Sequence, residues 1–246
     1  MLVAADKSGT PIMASVARRG EPYICPACGG GVVYRQGRWV APHFAHRPAE
    51  PCPYRSEPES AAHLAMKAWV FERFRVEPWV RRCELERVIG DFRTDVWLET
   101  DIGPVAIECQ VSSVTIAELK EKLLAYTAAK VATLYLIHHS VLPTLAEGAE
   151  LRVPSWVLAL HALFRGRLYF DEGCGELVPI HLAPVLREDM WMESSRPKLL
   201  KTMRRLRRGS AIRFFAPRCS STFCKHGALA GGTFSVSTFD APLFWR

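Results

Sequence analysis

The chain has 246 residues, 49% of them hydrophobic and 23% charged, a balance that excludes intrinsic disorder and leaves room for one sizeable core beside a small satellite module. Its net charge of +7 is unevenly placed: Arg196 to Arg218 holds nine Lys/Arg and no acid, so the remaining 23 basic residues face 25 acidic ones. Met1 to Thr10 lacks the basic start and apolar run of a signal peptide, and the most apolar later stretch, Trp156 to Phe164, is short and broken by His161. A cytoplasmic protein without a membrane partner is therefore expected, and in that reducing compartment its eight cysteines read as metal ligands or buried thiols.

In chain order, Leu2 to Ser15 reads as a hairpin turning at Lys7-Ser8-Gly9. A second short hairpin, Val32 to Tyr34 with Arg38 to Val40, turns at Gln36-Gly37. Four prolines between Pro48 and Pro58 mark the end of a β-rich module over residues 1–56. From Glu59 the pattern becomes helical and stops before Pro78. Three strand-like segments follow: Trp79 to Ile89, Phe92 to Glu99 and Val105 to Ser112. Ser113 or Thr115 then caps a helix with Ile116, Leu119, Leu123 and Tyr126 on one face, and the apolar run Val131 to Ile137 reads as a buried strand. Residues 57–140 thus form an αβββαβ core of the α/β class with a mixed sheet. A helix at Ser155 to Phe164 and a hairpin, Leu168 to Phe170 with Leu177 to Leu182, form an extension over 141–195. Residues 196–246 read as a basic, flexible tail in which Leu199, Met203 and Leu206 suggest a short amphipathic helix.

Cys25-Pro26-Ala27-Cys28 is a C-x2-C pair, and His43, His46 and Cys52 follow at a separation typical of small zinc sites. Five candidates compete for four tetrahedral places. Cys25, Cys28, His46 and Cys52 are the favoured set, with His43 as the alternate ligand. A module this small needs a staple, which makes structural Zn²⁺ the expected cofactor. Cys219, Cys224 and His226 offer a second, irregularly spaced trio.

Alternation on the third strand puts Glu108 and Gln110 on the face opposite Ile107 and Cys109. A turn at Asp101-Ile102 pairs residues whose numbers sum to 203, setting Asp95 opposite Glu108. A turn at Gly90-Asp91 pairs residues summing to 181, setting Glu86 opposite Asp95. Three carboxylates on one face repel one another, and a hard divalent cation, Mg²⁺ or Mn²⁺, resolves that repulsion while activating water. A solvated polar sheet face has the same pattern.

The order of elements, with Arg93-x-Asp95-Val96 and Ile107-Glu108-x-Gln110-x-Ser112, resembles the PD-(D/E)XK nuclease superfamily. With Cys-Pro-x-Cys, His43-Phe44-Ala45-His46 and Glu59-Ser60-x-x-His63-x-x-x-Lys67, the stretch from Tyr23 to His138 looks like the competence protein CoiA-like family. The resemblance implies a restriction-endonuclease-like fold with Asp95 and Glu108 as metal ligands and Gln110 where the superfamily usually has lysine. An amide can place water but supplies no charge. The catalytic set is therefore Asp95, Glu108, Gln110, Glu59 and Glu86. The expected DNA contacts are His63, Lys67, Arg93, Lys122, Tyr126, Arg204, Arg205, Arg207 and Arg208. Hydrolysis of single- or double-stranded DNA is the first expectation, with recombination proteins as possible partners. A catalytically inactive DNA-binding accessory and a zinc-stabilised interaction module are the alternatives, and salt-dependent DNA binding separates the last from the others.

Overall fold

The computed structural model describes residues 1–48, 52, 54, 59–173, 175–187, 198–211, 224–229 and 232–236. The chain divides into two units, Met1–Cys109 with Ala125–Leu134, and Gln110–Leu124 with the residues from Tyr135 onward. Its architecture is mixed α and β, and the division runs through the second helix and the strand after it.

The first unit opens with five short strands, β1 (Val3–Ala5), β2 (Pro11–Met13), β3 (Tyr23–Ile24), β4 (Gly31–Arg35) and β5 (His43–His46), in the order β2-β1-β3-β4-β5. The first hairpin turns where expected, because the Asp6 carboxylate accepts from the Ser8 and Thr10 amides and Gly9 takes a φ of 84°. The second hairpin differs from expectation: the partner of β4 is His43–His46, not Arg38–Val40. Phe44 explains the change. It is fully buried and packs on Tyr23 and Tyr34 at centroid distances of 4.9 and 5.6 Å, whereas Trp39 is 84% exposed. Pairing through 43–46 puts the apolar ring into the small core and leaves 36–42 as a loop.

Helix α1 (Ala61–Phe74) begins where Ser60 Oγ accepts from the His63 amide at 3.1 Å. It buries His63, Leu64, Met66, Lys67, Val70 and Phe74 along one stripe. The strands that follow are β6 (Val80–Leu85), β7 (Val88–Ile89), β8 (Phe92–Arg93), β9 (Val96–Thr100) and β10 (Gly103–Gln110). Both expected registers are present: β9 and β10 pair Thr100 with Gly103 and Val96 with Ile107, while β7 and β8 pair Val88 with Arg93. Glu86 interrupts the edge between β6 and β7 with a φ of 61°, a left-handed conformation that costs a non-glycine residue about 1–2 kcal/mol. Trp97, Ala106, Tyr126 and Val131 pack with Ile89 and Phe92 into a buried cluster.

Helix α2 (Ile116–Ala128) starts with a reciprocal capping box, in which the Glu118 amide donates to Thr115 Oγ1 and the Glu118 carboxylate accepts from the Thr115 amide. Strand β11 (Ala132–His138) follows. The second unit adds β12 (Glu150–Arg152), α3 (Ser155–Leu163), β13 (Leu168–Asp171), β14 (Leu177–Arg187) and β15 (Lys198–Arg208), with strand order β12-β15-β14-β13-β11. A terminal pair, β16 (Cys224–Leu229) and β17 (Gly232–Val236), closes the chain's described elements. Trp156, Val157, Leu160, Phe170, Val178, Ile180 and Leu206 lie in the second unit's core.

Strand β15 corrects the expectation of a flexible tail with a short helix. Lys198–Arg208 pairs with both β14 and β12, so its backbone donors and acceptors are satisfied on two sides. Leu206 is fully buried between the more exposed Arg205 and Arg207, a period of two. Three apolar residues at helical spacing are too few to outweigh that pairing. Arg205 meets Glu150, Arg207 lies 3.9 Å from Glu147, and Arg208 forks onto Glu172; Arg204 donates to the Met203 carbonyl.

Candidate functional site

The donor atoms of Cys25, Cys28, His46 and Cys52 all lie within 4.8 Å of one another. The local chain builds this cluster directly. Cys25 N–H donates to the Gly30 carbonyl, Gly29 N–H returns to the Cys25 carbonyl, and Gly29 takes a φ of 71°, so the chain doubles back under the two sulfurs. The Gly30 amide points at Cys28 Sγ at 3.4 Å, and a Cβ at Gly30 would sit 3.3 Å from that sulfur. Alternation on β5 then chooses between the histidines. His46 shares the inward side with buried Phe44 and lies opposite Val32, and its Nε2 is 3.8 Å from Cys28 Sγ. His43 falls on the other side, opposite Arg35, with Nδ1 at 3.0 Å from the Ala41 carbonyl, and is not in the cluster.

The donor set fits zinc. A tetrahedral ion with bonds of about 2.3 Å to sulfur separates its ligand atoms by roughly 3.8 Å. Burial pushes the Cys25 thiol up to about 11, so at neutral pH a cation is what makes that sulfur a thiolate. The trio of Cys219, Cys224 and His226 lies outside the described residues and side chains.

A second cluster forms where α1 meets the strands. Lys67, only 1% exposed, reaches Glu59, lies 2.5 Å from Glu86 Oε1 and stands 3.8 Å from Asp95 Oδ1. The Met1 amino group also contacts Glu59 and lies 4.0 Å from Glu86. Glu86 Oε1 accepts from the Leu2 amide at 2.8 Å, while its Oε2 is buried without a hydrogen-bond partner among the described residues. Burial alone raises the Glu86 carboxyl, but the Lys67 ammonium, the Met1 ammonium and the Arg93 guanidinium outweigh it and hold the group at about 2.

Asp95 sits in the bend just before β9. Its backbone carbonyl accepts from the Glu86 amide, and its Oδ2 accepts from the Cys109 amide at 2.8 Å and lies 3.1 Å from His63 Nε2. Glu108, 2% exposed, accepts from the Tyr126 hydroxyl at 2.7 Å. The Gln110 side-chain amide donates to the Ser112 carbonyl, and its Oε1 is buried without a partner among the described residues.

The structure therefore joins Glu59, His63, Lys67, Glu86 and Asp95 in one network, with the Asp95 carboxylate bound to the backbone beside Glu108. It places several expected DNA contacts away from solvent: His63, Lys67, Arg93 and Tyr126 are all buried, and Lys122 is half-buried on α2. Sequence reasoning missed the inward turn of Lys67 and the left-handed backbone of Glu86. The signal for the first was available, since His63 and Lys67 share the i, i+4 stripe of Val70 and Phe74, the buried side of α1. No helix among the described residues is long and apolar enough to cross a membrane.

Residues 10–55 match the family described as the N-terminal domain of competence protein CoiA. The competence protein CoiA of Bacillus subtilis (strain 168) is 27% identical over 152 residues, covering 58% of this chain and 33% of that protein. The Druantia protein DruB of Escherichia coli (strain UMEA 4076-1) is 45% identical over 49 residues, 20% of this chain and 9% of that protein. The matches thus span a third or less of these curated relatives. No solved structure matches the chain. Over the Cys/His module the chain is thus similar to the N-terminal domain of competence protein CoiA, and over a longer stretch to the Bacillus protein.

Proposed function

We propose that this chain is a nuclease of the PD-(D/E)XK type that hydrolyses DNA phosphodiester bonds in the cytoplasm during competence, the process named in its Bacillus relative. The observation that carries the reading is the buried set of Asp95, Glu108 and Lys67 around the start of β9 and the end of β10. Lys67 brings to Asp95 the positive charge that Gln110 lacks, from α1 instead of β10. A buried ammonium beside a carboxylate stabilises a phosphate's developing negative charge far more than an exposed one, because water does not screen it. The amide of Gln110, fixed by Ser112, presents an unpartnered buried oxygen suited to holding a water molecule.

The hard carboxylate oxygens fit Mg²⁺ or Mn²⁺, and Asp95 and Glu108 would hold such an ion, which supplies Lewis-acid activation when bound. The Cys25, Cys28, His46 and Cys52 cluster holds zinc in a structural role in this reading, since all four places around the metal are filled by protein.

One observation favours a second reading, a DNA-binding accessory without hydrolysis that works with recombination proteins. Lys67 already pairs with Glu59 and Glu86, and the Asp95 Oδ2 atom is engaged by Cys109 and His63, so these oxygens have partners without an added ion.

The test is cleavage of labelled single- and double-stranded DNA by zinc-loaded protein with Mg²⁺ or Mn²⁺. Asp95→Asn and Glu108→Gln, both near-isosteric, should each lower the rate by about a hundredfold or more. Binding without cleavage by the unaltered protein, with either metal, establishes the accessory reading instead.

A further inference from the structure

We propose that the N-terminal module carries a binding groove for single-stranded nucleic acid, separate from the buried carboxylates. The inference deepens the reading above and rests on it only for DNA as the polymer. A groove of about 780 Å³ opens where the loop before β3 meets β4, with Arg19, Arg35 and Arg47 on its walls against one acid, Glu21. Between Val16 and Arg47 the sequence holds five arginines and one acid, Glu21. Arg19 donates to the Gln36 carbonyl, and no carboxylate among the described residues meets Arg35 or Arg47.

Those charges differ from the cationic groups of α1 and β15 that meet acids. Lys67 is buried among acids, and Arg205, Arg207 and Arg208 each face a glutamate. Three guanidinium groups around one groove repel one another, and a polyanion removes that repulsion while releasing condensed counterions. The zinc-type cluster supports the arrangement from behind. Val32, Tyr34, Phe44 and His46 fill the inner side of β4 and β5, which turns Val33 and Arg35 outward on a fixed frame.

An aromatic group beyond the groove's lining, three residues after Gln36 in the chain, selects the form of the polymer. Trp39, in the loop between β4 and β5, is 84% exposed, with the Arg38 guanidinium 5.1 Å from its ring. Val33 and Ile24 are also partly bare, at 39% and 38%. An exposed indole with a stacked guanidinium receives a base face, and only an unpaired strand can offer one. The groove therefore takes phosphates on its arginines and a base on Trp39. Phosphate contact and stacking read no base edge, so the expected binding is tolerant of sequence.

The test uses full-length, zinc-loaded protein carrying Asp95→Asn, so that cleavage plays no part. It measures fluorescence anisotropy of a labelled oligothymidylate and of a duplex of equal length over a salt series. The combined variant Arg19→Ala/Arg35→Ala/Arg47→Ala should weaken single-strand binding about tenfold or more and reduce the slope of log K against log salt by about 2. Trp39→Ala should weaken it by about tenfold while leaving the salt slope unchanged. Zinc content and thermal midpoint, measured alongside, report whether each variant folds. Charge reversal at Arg35, Arg35→Glu, gives a second reading that does not depend on the triple variant.

Affinity and slope unchanged in folded arginine variants overturn the proposal. So does equal loss for duplex and single strand, or displacement of the oligonucleotide by polyglutamate at matched charge, which marks a general polyanion surface. If these variants lower binding and the unaltered protein cuts nothing, the groove stands and the hydrolytic reading falls. If the protein cuts but the variants bind normally, the reverse holds.

Discussion

The Cys25, Cys28, His46 and Cys52 cluster gathers four donors and no cation, whereas the Glu59, Glu86 and Asp95 cluster carries Lys67 in its midst. Both lie in the first unit, and each calls for a positive charge, the carboxylates to offset their burial and the thiols to ionise at all. The difference lies in where that charge comes from. A metal ion arrives after synthesis and can be withdrawn, so the module around it is conditional; a lysine is part of the chain, so the carboxylate cluster forms whenever α1 docks. With zinc bound as proposed, the protein would separate a part whose fold depends on a ligand from a part whose fold provides its own counter-charge.

The largest expected effect breaks the first half of that comparison. Structural zinc in small modules contributes on the order of 10 kcal/mol at neutral pH, while the module's core amounts to a few residues around Phe44, Tyr23 and Val32. Chelation of the metal, or Cys28→Ser, should therefore open residues 1–48 to proteolysis and leave the second unit protected. Metal analysis should find one zinc per chain. A module that stays protected after chelation would mean that the tilted Tyr23, Tyr34 and Phe44 rings suffice.

A smaller effect breaks the second half. Removing the ammonium in Lys67→Met leaves Glu59 and Glu86 facing each other in a buried site, and breaking such a pairing costs about 3–5 kcal/mol. The double variant Lys67→Met/Glu86→Gln should recover part of that loss, because it removes the uncompensated charge together with its partner. Denaturant midpoints of the two variants measure this directly. A loss under about 1 kcal/mol for Lys67→Met would place the cluster with solvent-screened ion pairs.

The same contrast separates what was legible in the sequence from what was not. Tight turns fix register, so the sums of 203 and 181 followed from Asp101-Ile102 and Gly90-Asp91 alone. The C-x2-C pair and its later partners were equally plain, because a metal demands donor types at short spacing. The favoured set, with His46 over His43, matches the cluster, but its reason, the strand parity of β5, rested on a hairpin that the local pattern misplaced. Lys67 looked like a charged surface group because residue type dominates over helical face in such a reading. Its burial follows only from what the stripe of Val70 and Phe74 packs against. In Lys198–Arg208, a helical spacing of three apolar residues hid a strand that pairs with β14, the preceding strand, and with the more distant β12, neither of which a local spacing reveals.

Acid sharpens the comparison, with the smallest effect of the three. Glu86 is held at about 2 against an ordinary value of 4.5, so its carboxylate contributes stability fully present above about 4.5 and lost as pH falls through 2. That contribution amounts to about 3–4 kcal/mol at most. With zinc bound as proposed, the Cys/His cluster should respond earlier, because each proton that binds a thiolate competes with the metal, and three of the four donors are cysteines. Lowering the pH should therefore release zinc, read with a chromogenic chelator, before the far-UV dichroism of the remaining fold declines. In Glu86→Gln the early step should be unchanged, and the slope of stability against pH between 4.5 and 2 should flatten. If zinc loss and unfolding coincide at every pH in both proteins, the two clusters are one cooperative device, and the division between a conditional part and a self-compensated part does not hold.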